Sequence, residues 1–340
     1  MKKIRVLVVD DSYVFQQLLL KWLSNDKSLE VVGVASNPFE ARDKILELAP
    51  DVMTCDIEMP RMNGIAFLEK LMPQYPIAVV VVSSVSTAVF DAMNAGAVDF
   101  VAKPQVQTPQ GVEIFLNELM LKIKIASVSN VSGWKANPYK RKQLHSVNHS
   151  QDKVIAIGAS TGGTEAIFQI LKAFPSDVPG ILIVQHIPPS FSEMFAQRLN
   201  RTTSLYVKEA KNGDLVEPGT VLIAPGDQHM RIKRIGEGYK VMTENGARVN
   251  GHCPSVDVLF ESVAREVGEN AIGVILTGMG YDGAKGLLAM KRRGARTIGQ
   301  NEKSCVVYGM PKVAYDIGGV ERQLALDEIS EKILTLIGTF

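Results

Sequence analysis

Short apolar runs and amphipathic stretches alternate along the first 105 residues of the chain. Runs rich in β-branched residues predict strands at Ile4–Val9, Glu30–Ala35, Val52–Asp56, Ala78–Ser83 and Phe100–Ala102. Amphipathic segments predict helices at Tyr13–Leu23, Phe39–Leu48, Gly64–Met72, Thr87–Ala95 and Val112–Ile125. Because continuous apolar strands separated by helices are typical of parallel sheets covered on both faces, the pattern predicts a doubly wound α/β unit.

A second alternation of strands and helices begins at Lys153. Apolar runs predict strands at Val154–Ile157, Gly180–Gln185, Thr220–Ala224, Tyr239–Met242, Ala271–Leu276 and Thr297–Gln300. Helices are expected after the first of these strands and at Ala284–Arg293. The strands at 220–224 and 239–242 are expected to be partly antiparallel. The pattern predicts a second doubly wound α/β unit with a mostly parallel sheet.

The stretch between the two units differs in composition from both. Residues 127–150 are rich in Ser, Asn, Lys and His, and no Asp or Glu occurs from Leu119 to Gln151. A polar stretch without hydrophobic periodicity predicts an exposed linker. We therefore expect a first domain over 1–126, a linker over 127–152 and a second domain over 153–340.

Charge and cysteine content limit the classes of function. Lys and Arg number 37 against 36 Asp and Glu, a net charge of +1, which argues against nucleic-acid binding through bulk charge. The three cysteines, Cys55, Cys253 and Cys305, are widely spaced and suggest neither a disulfide framework nor a metal site. No apolar run approaches the roughly 18 residues of a membrane span. We expect a cytoplasmic protein that binds no nucleic acid and does not insert into the membrane.

Polar residues stand at the ends of four predicted amino-terminal strands. Asp10 and Asp11 follow the first strand, Asp56 ends the third, Ser83 ends the fourth and Lys103 follows the fifth. The carboxyl ends of neighbouring parallel strands open into one crevice, so these groups are expected to meet. Three carboxylates repel one another unless a cation lies between them, and oxygen ligands suit Mg²⁺. A carboxylate, a divalent ion, a hydroxyl and a lysine together can accept and hold a phosphoryl group.

Residues 3–125 resemble a response-regulator receiver domain. The motifs that carry the resemblance are Val8-Val-Asp-Asp-Ser12, Asp56-Ile-Glu-Met-Pro-Arg-Met-Asn-Gly64, Val82-Ser-Ser84 and Lys103-Pro104. The resemblance implies a flavodoxin-like fold with a five-stranded parallel sheet and a histidine kinase as the phosphoryl donor.

The receiver resemblance also implies roles for individual residues. Asp56 would be the phosphoacceptor, and Mg²⁺ would be held by Asp11, Asp56 and the Glu58 carbonyl, with Asp10 close by. The switch residues it implies are Ser83 as the switch hydroxyl, Phe100 as the switch aromatic, and Lys103. Asn63 stands where the family often has Asp, and either residue tolerates a left-handed turn.

Three residues of the second unit suggest nucleophilic catalysis. Ser160 lies between Gly158 and Gly162 on a predicted strand-to-helix turn, where a helix N-terminus stabilises negative charge. His186 directly follows the strand at 180–185, and Asp282 follows the strand at 271–276. These three strand ends can supply a nucleophile, a general base and a residue that orients the base. The chain order Ser, His, Asp differs from that of α/β-hydrolases, so that fold assignment does not follow.

The other histidines and a dehydrogenase-like spacing are alternatives to this triad. His145 and His149 are expected to be solvated in the linker, while His229 and His252 occupy loops that could border the site in a structural or substrate-lining role. Tyr281 and Lys285 have the YxxxK spacing of short-chain dehydrogenases. That interpretation fails because Asp-Gly separates the two residues at a loop–helix junction and the third glycine of the nucleotide loop is missing.

Residues 153–340 resemble the catalytic domain of CheB-type chemotaxis methylesterases. The motifs that carry the resemblance are Ile157-Gly-Ala-Ser-Thr-Gly-Gly-Thr-Glu165, Gln185-His-Ile-Pro188, Ala224-Pro-Gly-Asp-Gln-His-Met230, Pro254-Ser-Val-Asp-Val-Leu-Phe260, Thr277-Gly-Met-Gly-Tyr-Asp-Gly-Ala284 and Val307-Tyr-Gly-Met-Pro311. The family order of receiver, linker and esterase extends the match over nearly the whole chain. The resemblance implies that Ser160 is the nucleophile, His186 the base and Asp282 its partner.

The same resemblance implies an oxyanion site and a departure beside it. Thr161 and the Met279 backbone would stabilise the oxyanion. Gly251 and Cys253 stand where relatives often carry Arg, which could alter substrate contacts.

Together the two resemblances imply a phosphorylation-activated protein-glutamate methylesterase. It would release methanol from methylated chemoreceptor glutamates and deamidate receptor glutamines, with Mg²⁺ in the receiver and no cofactor for ester hydrolysis. The unphosphorylated receiver would pack over the Ser160 cleft, and phosphoryl-Asp56 would loosen that interface through Ser83 and Phe100.

Two alternatives belong to other classes. A DNA-binding response regulator would carry a basic helix-turn-helix after the linker, where this chain has an α/β pattern with a triad. A catalytically weak, receptor-docking response regulator would keep the fold without the activity.

Overall fold

The structure is a computed structural model that describes residues 2–84, 88–104, 108–131 and 153–338. The chain divides into two compact units, Met1–Asn137 and Pro138–Phe340. This division falls inside the predicted linker, most of which, 132–152, lies outside the described residues. Thr87, the predicted start of a helix, also lies outside them. No described helix is both long and apolar enough to cross a membrane.

The first unit is built on a five-stranded parallel sheet in the order β2-β1-β3-β4-β5. Its strands are β1 Ile4–Val9, β2 Leu29–Ala35, β3 Val52–Asp56, β4 Ala78–Ser83 and β5 Asp99–Ala102. Its helices are α1 Tyr13–Leu23, α2 Pro38–Leu48, α3 Gly64–Leu71, α4 Ala88–Asn94 and α5 Pro109–Ala126. The predicted doubly wound architecture is confirmed, with the strand order reversing between β1 and β3.

Burial explains why the strands of this unit could be recognised in the sequence. Every residue of β3 and β4 is buried, so these strands are apolar at nearly every position rather than alternating. The helix after β1 begins where the Ser12 side chain accepts a hydrogen bond from the Phe15 amide. The helix after β3 begins in the same way at Asn63, which accepts from the Ala66 amide. Both caps stand just beyond the carboxyl edge of the sheet, close to the acidic residues.

The second unit contains a seven-stranded sheet in the order β14-β13-β12-β6-β7-β9-β8, all parallel. Its strands are β6 Val154–Ala159, β7 Gly180–Gln185, β8 Tyr206–Glu209, β9 Thr220–Ile223, β12 Ala271–Ile275, β13 Arg296–Gln300 and β14 Arg322–Leu324, and a separate hairpin is formed by β10 Gln228–Ile235 and β11 Gly238–Asn245. Its α-helices are α6 Gly163–Ala173, α7 Pro189–Thr202, α8 Val256–Glu266, α9 Ala284–Arg292, α10 Met310–Asp316 and α11 Leu326–Gly338. The predicted α/β class with a mostly parallel sheet is confirmed.

The expectation of antiparallel pairing at 220–224 was wrong for that strand. The strand β9 runs parallel to both β7 and β8 in the large sheet. The strand at 239–242 belongs to β11 and is indeed antiparallel, but its partner is β10, for which no prediction was made. The second half of β10 is exposed and basic, so its sequence lacks the apolar run that marks the buried strands.

Candidate functional site

Ser160 lies at the turn between β6 and α6, on the carboxyl edge of the large sheet. Its amide donates to the Thr277 carbonyl at 3.0 Å, and its own carbonyl accepts from the Gly163 amide at 2.7 Å and from Gln185 Nε2 at 2.9 Å. Gly162 has a φ of 76° and precedes the helix, a conformation that favours glycine. These contacts fix the serine backbone at the helix N-terminus.

His186 follows β7, the strand next to β6, and its amide donates to the Ala159 carbonyl at 3.1 Å. The imidazole Nε2 lies 2.9 Å from Asp282 Oδ2. Its Nδ1 is buried and has no hydrogen-bond partner among the described residues. An ionised carboxylate only accepts hydrogen bonds, so Nε2 carries the proton and Nδ1 keeps a lone pair. The nitrogen available as a base is therefore Nδ1, opposite to the usual serine-protease arrangement.

Asp282 is buried, with a relative exposure of 1%. Its Oδ1 accepts from Ser255 Oγ at 2.7 Å and Asn250 Nδ2 at 2.8 Å, and its Oδ2 accepts from the Val256 amide at 2.7 Å. Burial by itself raises the pKa of this carboxyl, but the hydrogen bonds from His186, Asn250 and Ser255 outweigh burial and hold the pKa well below its usual range. Asp282 is therefore an ionised partner that accepts the Nε2–H hydrogen bond and orients the His186 ring.

Three residues of the loop before α8, Asn250, His252 and Ser255, contact this pair. The His252 ring stacks on the His186 ring with centroids 3.7 Å apart and an interplanar angle of 7°. The sequence analysis predicted that His252 could border the site. It assigned no role to Asn250, and Ser255 appeared only as part of the motif at 254–260. The signal that could have indicated Asn250 is the Asn-Gly dipeptide at 250–251, which is typical of a two-residue hairpin turn.

The remaining described histidine has structural contacts. His229 Nε2 lies 2.9 Å from the Ala247 carbonyl, and its Nδ1 accepts a hydrogen bond from the Ser255 amide at 3.3 Å. His145 and His149 lie outside the described residues.

The loop after β12 passes directly beside Ser160. A Cβ atom added to Gly278 would lie 2.7 Å from the Ser160 Cβ, so only glycine fits without displacement. The Gly278 carbonyl accepts from the Met310 amide at 2.8 Å, which anchors the loop. Among the described residues, the Met279 amide donates to no protein acceptor, and its side chain is 45% exposed. Thr161, the other predicted oxyanion residue, is buried, and its carbonyl accepts from Thr277 Oγ1.

The acidic residues of the first unit meet at the carboxyl edge of their sheet. Carboxylate oxygens of Asp10, Asp11 and Asp56 all lie within 4.8 Å of one another. Asp10 and Asp56 are buried and Asp11 is exposed. Lys103 Nζ lies 2.8 Å from Asp10 Oδ2 and 2.6 Å from Asp56 Oδ2. A set of oxygen donors with one exposed member fits a hard divalent cation that keeps part of its water shell.

Two other predicted receiver residues stand at the ends of neighbouring strands, Glu58 just after β3 and Ser83 at the end of β4. The Glu58 amide donates to Asp56 Oδ1 at 3.2 Å. Burial raises the pKa of Asp56, although the hydrogen bond from Lys103 opposes this. The buried Ser83 hydroxyl donates to the Ser84 carbonyl at 2.8 Å.

Phe100 is buried on the strand β5, where it is paired with Val81 of β4, two residues before Ser83. It meets Phe90 edge to face, with centroids 6.2 Å apart. The hydroxyl and the aromatic ring therefore occupy neighbouring strands β4 and β5.

Comparisons with known proteins agree over both units. The CheB methylesterase family model matches residues 155–333, and the response regulator receiver domain model matches residues 6–111. A "Protein-glutamate methylesterase/protein-glutamine glutaminase 2" of Syntrophomonas wolfei is 55% identical, covering 99% of this chain and 98% of the relative. A protein-glutamate methylesterase/protein-glutamine glutaminase of Salmonella typhimurium is 46% identical, covering 99% of this chain and 98% of the relative.

A solved structure adds a comparison of the fold of the second unit. The Thermotoga maritima CheB methylesterase catalytic domain covers 54% of this chain and 98% of its own length, with 38% identity and a TM-score of 0.53. With an esterase family model over more than half of its length and relatives that align end to end, this chain belongs to the CheB methylesterase family.

Proposed function

We propose that this chain hydrolyses glutamate methyl esters on chemoreceptors to glutamate and methanol, and deamidates receptor glutamines, as a phosphorylation-controlled step of sensory adaptation. The observation that carries the proposal is the His186–Asp282 pair, 2.9 Å apart, at the sheet edge where Ser160 lies in the turn between β6 and α6. The full-length relatives named protein-glutamate methylesterase/protein-glutamine glutaminase support this choice among the reactions open to a serine hydrolase.

The acylation step uses the ring nitrogen that Asp282 leaves available. Ser160 Oγ attacks the γ-carbonyl carbon of the methylated glutamate while His186 Nδ1 takes its proton. The Met279 amide and Thr161, near the N-terminus of α6, stabilise the oxyanion that forms. His186 then gives the proton to the methoxy oxygen of the tetrahedral intermediate as the bond between that oxygen and the γ-carbon breaks. Methanol leaves, and the acyl-enzyme on Ser160 remains.

Deacylation repeats these roles with water as the nucleophile. His186 takes a proton from water, the hydroxide attacks the acyl carbon, and Ser160 leaves with the proton returned by His186. With a glutamine substrate, ammonia replaces methanol as the leaving group. Asp282 stays ionised throughout and stabilises the imidazolium in each step.

In the receiver, Asp56 accepts a phosphoryl group from the phosphohistidine of a histidine kinase. Asp10, Asp11, Asp56 and the Glu58 carbonyl would hold Mg²⁺, which neutralises charge on the phosphoryl oxygens when bound. Lys103 moves from its contact with the Asp56 carboxylate to a phosphoryl oxygen. Ser83 and Phe100 shift when the phosphoryl group is present. The receiver then no longer inhibits the esterase unit.

The kinase and the chemoreceptors are the partners in this scheme, and the cytoplasm is its location. Free thiols at Cys55, Cys253 and Cys305 are what a reducing compartment favours.

Methanol release from a methyl-labelled chemoreceptor tests the reaction. Ser160→Ala is expected to lower the rate by about 10⁶-fold, the scale seen on removing a serine nucleophile elsewhere. The matched control is Ser176→Ala, at an exposed serine, which should release methanol at the wild-type rate. Undiminished release by Ser160→Ala would remove Ser160 from this role, and no release by the wild-type protein would refute the proposed reaction.

A further inference from the structure

A tight turn connects the hairpin region to helix α8, immediately beside the catalytic pair. The Val249 and His252 backbones exchange two hydrogen bonds, each 2.9 Å long. The two residues between them, Asn250 and Gly251, have φ values of 52° and 84°. A two-residue loop with both φ values positive is the type I′ hairpin turn, for which Asn-Gly is the preferred sequence. The turn therefore has a defined shape that the local sequence specifies.

The first residue of this turn reaches the carboxylate of the pair. Asn250 Nδ2 donates to Asp282 Oδ1 at 2.8 Å and to Asp257 Oδ2 at 2.7 Å. Asp257 is held in turn by the Gly286 amide, which donates to its Oδ1 at 2.6 Å. The amide thus uses both N–H bonds of one nitrogen to join Asp282 to the first turn of α8.

The last residue of the turn reaches the imidazole of the pair. The His252 ring covers one face of the His186 ring in a parallel stack with centroids 3.7 Å apart. A ring packed flat at that distance opposes rotation of His186 about its Cβ–Cγ bond. Burial, with smaller effects of His186 and Arg248, lowers the pKa of His252 from its ordinary 6.5 to about 4, so the ring stacked on His186 is uncharged near neutral pH.

We propose that the 249–252 turn is a positioning element for the proposed esterase, in which Asn250 sets the Asp282 carboxylate and His252 sets the plane of the His186 ring. Neither residue touches the reacting atoms, so both are positioning residues. Both residues belong to one turn, so a displacement of the turn would alter the Asn250–Asp282 hydrogen bond and the His252–His186 stack together. The inference rests on the proposed function and concerns how precisely the His186 Nδ1 atom is positioned.

Three substitutions alter the side-chain contacts of the turn while keeping its backbone conformation. Asn250→Gly keeps the positive φ and removes the amide. His252→Leu removes the flat ring, and His252→Phe restores a flat ring without a titrating group. The matched control is Asn212→Gly, since Asn212 is exposed and also precedes a glycine. Each full-length variant is assayed for kcat and KM of methanol release from methyl-labelled chemoreceptor, and for its melting temperature.

Asn250→Gly and His252→Leu should each lower kcat by about 10²-fold, the cost of a misplacement near 1 Å, with KM and melting temperature close to wild type. His252→Phe should recover most of the kcat lost in His252→Leu, and Asn212→Gly should match wild type. Wild-type kcat in both Asn250→Gly and His252→Leu would overturn the inference, as would losses of kcat that follow losses of melting temperature. Either outcome, seen with an active wild-type protein, leaves the proposed reaction standing.

Discussion

At the scale of single residues, the orientation of the His186 ring decides which of its nitrogens is available for the proposed role as base. The hydrogen bond from Nε2 to Asp282 fixes the tautomer and leaves Nδ1 as the proton acceptor. The sequence could indicate that Ser160, His186 and Asp282 stand at strand ends, because strand ends follow from the apolar runs. It could not indicate the ring nitrogen, since that depends on the side-chain torsions of His186.

The environment of His252 predicts how stability depends on pH. Folded His252 gains its proton near pH 4, whereas an unperturbed histidine does so near 6.5. The unfolded state therefore binds more protons between these values, and this residue makes stability fall as the pH drops through that window. His252→Phe should flatten the fall in melting temperature between pH 6.5 and about 4, measured by calorimetry. His149→Phe, in the predicted linker, serves as the control, and equal slopes in His252→Phe and wild type would contradict the assignment.

At the scale of elements, the parallel strands of both units were the most predictable features. The buried strands β1, β3, β4 and β7 have the predicted bounds because burial on both faces demands a continuous apolar run. The strand β10 was missed because its exposed half carries Lys233 and Arg234. The contact of Asn250 with Asp282 was missed because it depends on a turn that folds a separate loop back onto the sheet edge.

Substitutions in the loop after β12 test the roles of its backbone and its side chains separately. Gly278→Ala places a methyl group against Ser160 and should lower kcat by about 10²-fold or more, because the loop must move away from the serine. Met279→Ala should change kcat by only a few fold, since the amide, not the thioether, is the proposed oxyanion donor. Steady-state methanol release measures both. An equal loss in Met279→Ala would assign the stabilisation to the methionine side chain instead.

At the scale of the whole molecule, two chemistries occupy separate units of one chain. The first unit contains the carboxylate cluster of Asp10, Asp11 and Asp56. The second unit contains Ser160 and the His186–Asp282 pair. The near-zero net charge of +1 is compatible with the proposed partners, a kinase and chemoreceptors. Phosphorylation of the first unit can alter the activity of the second only if the two receiver states interact differently with the second unit.

The most direct test is the rate of methanol release by the wild-type protein before and after addition of a small-molecule phosphodonor with Mg²⁺. The account predicts a rise of about 5- to 150-fold, the range of typical coupling free energies, and no rise in Asp56→Asn. An unchanged wild-type rate, or a response of Asp56→Asn equal to that of wild type, would contradict the account.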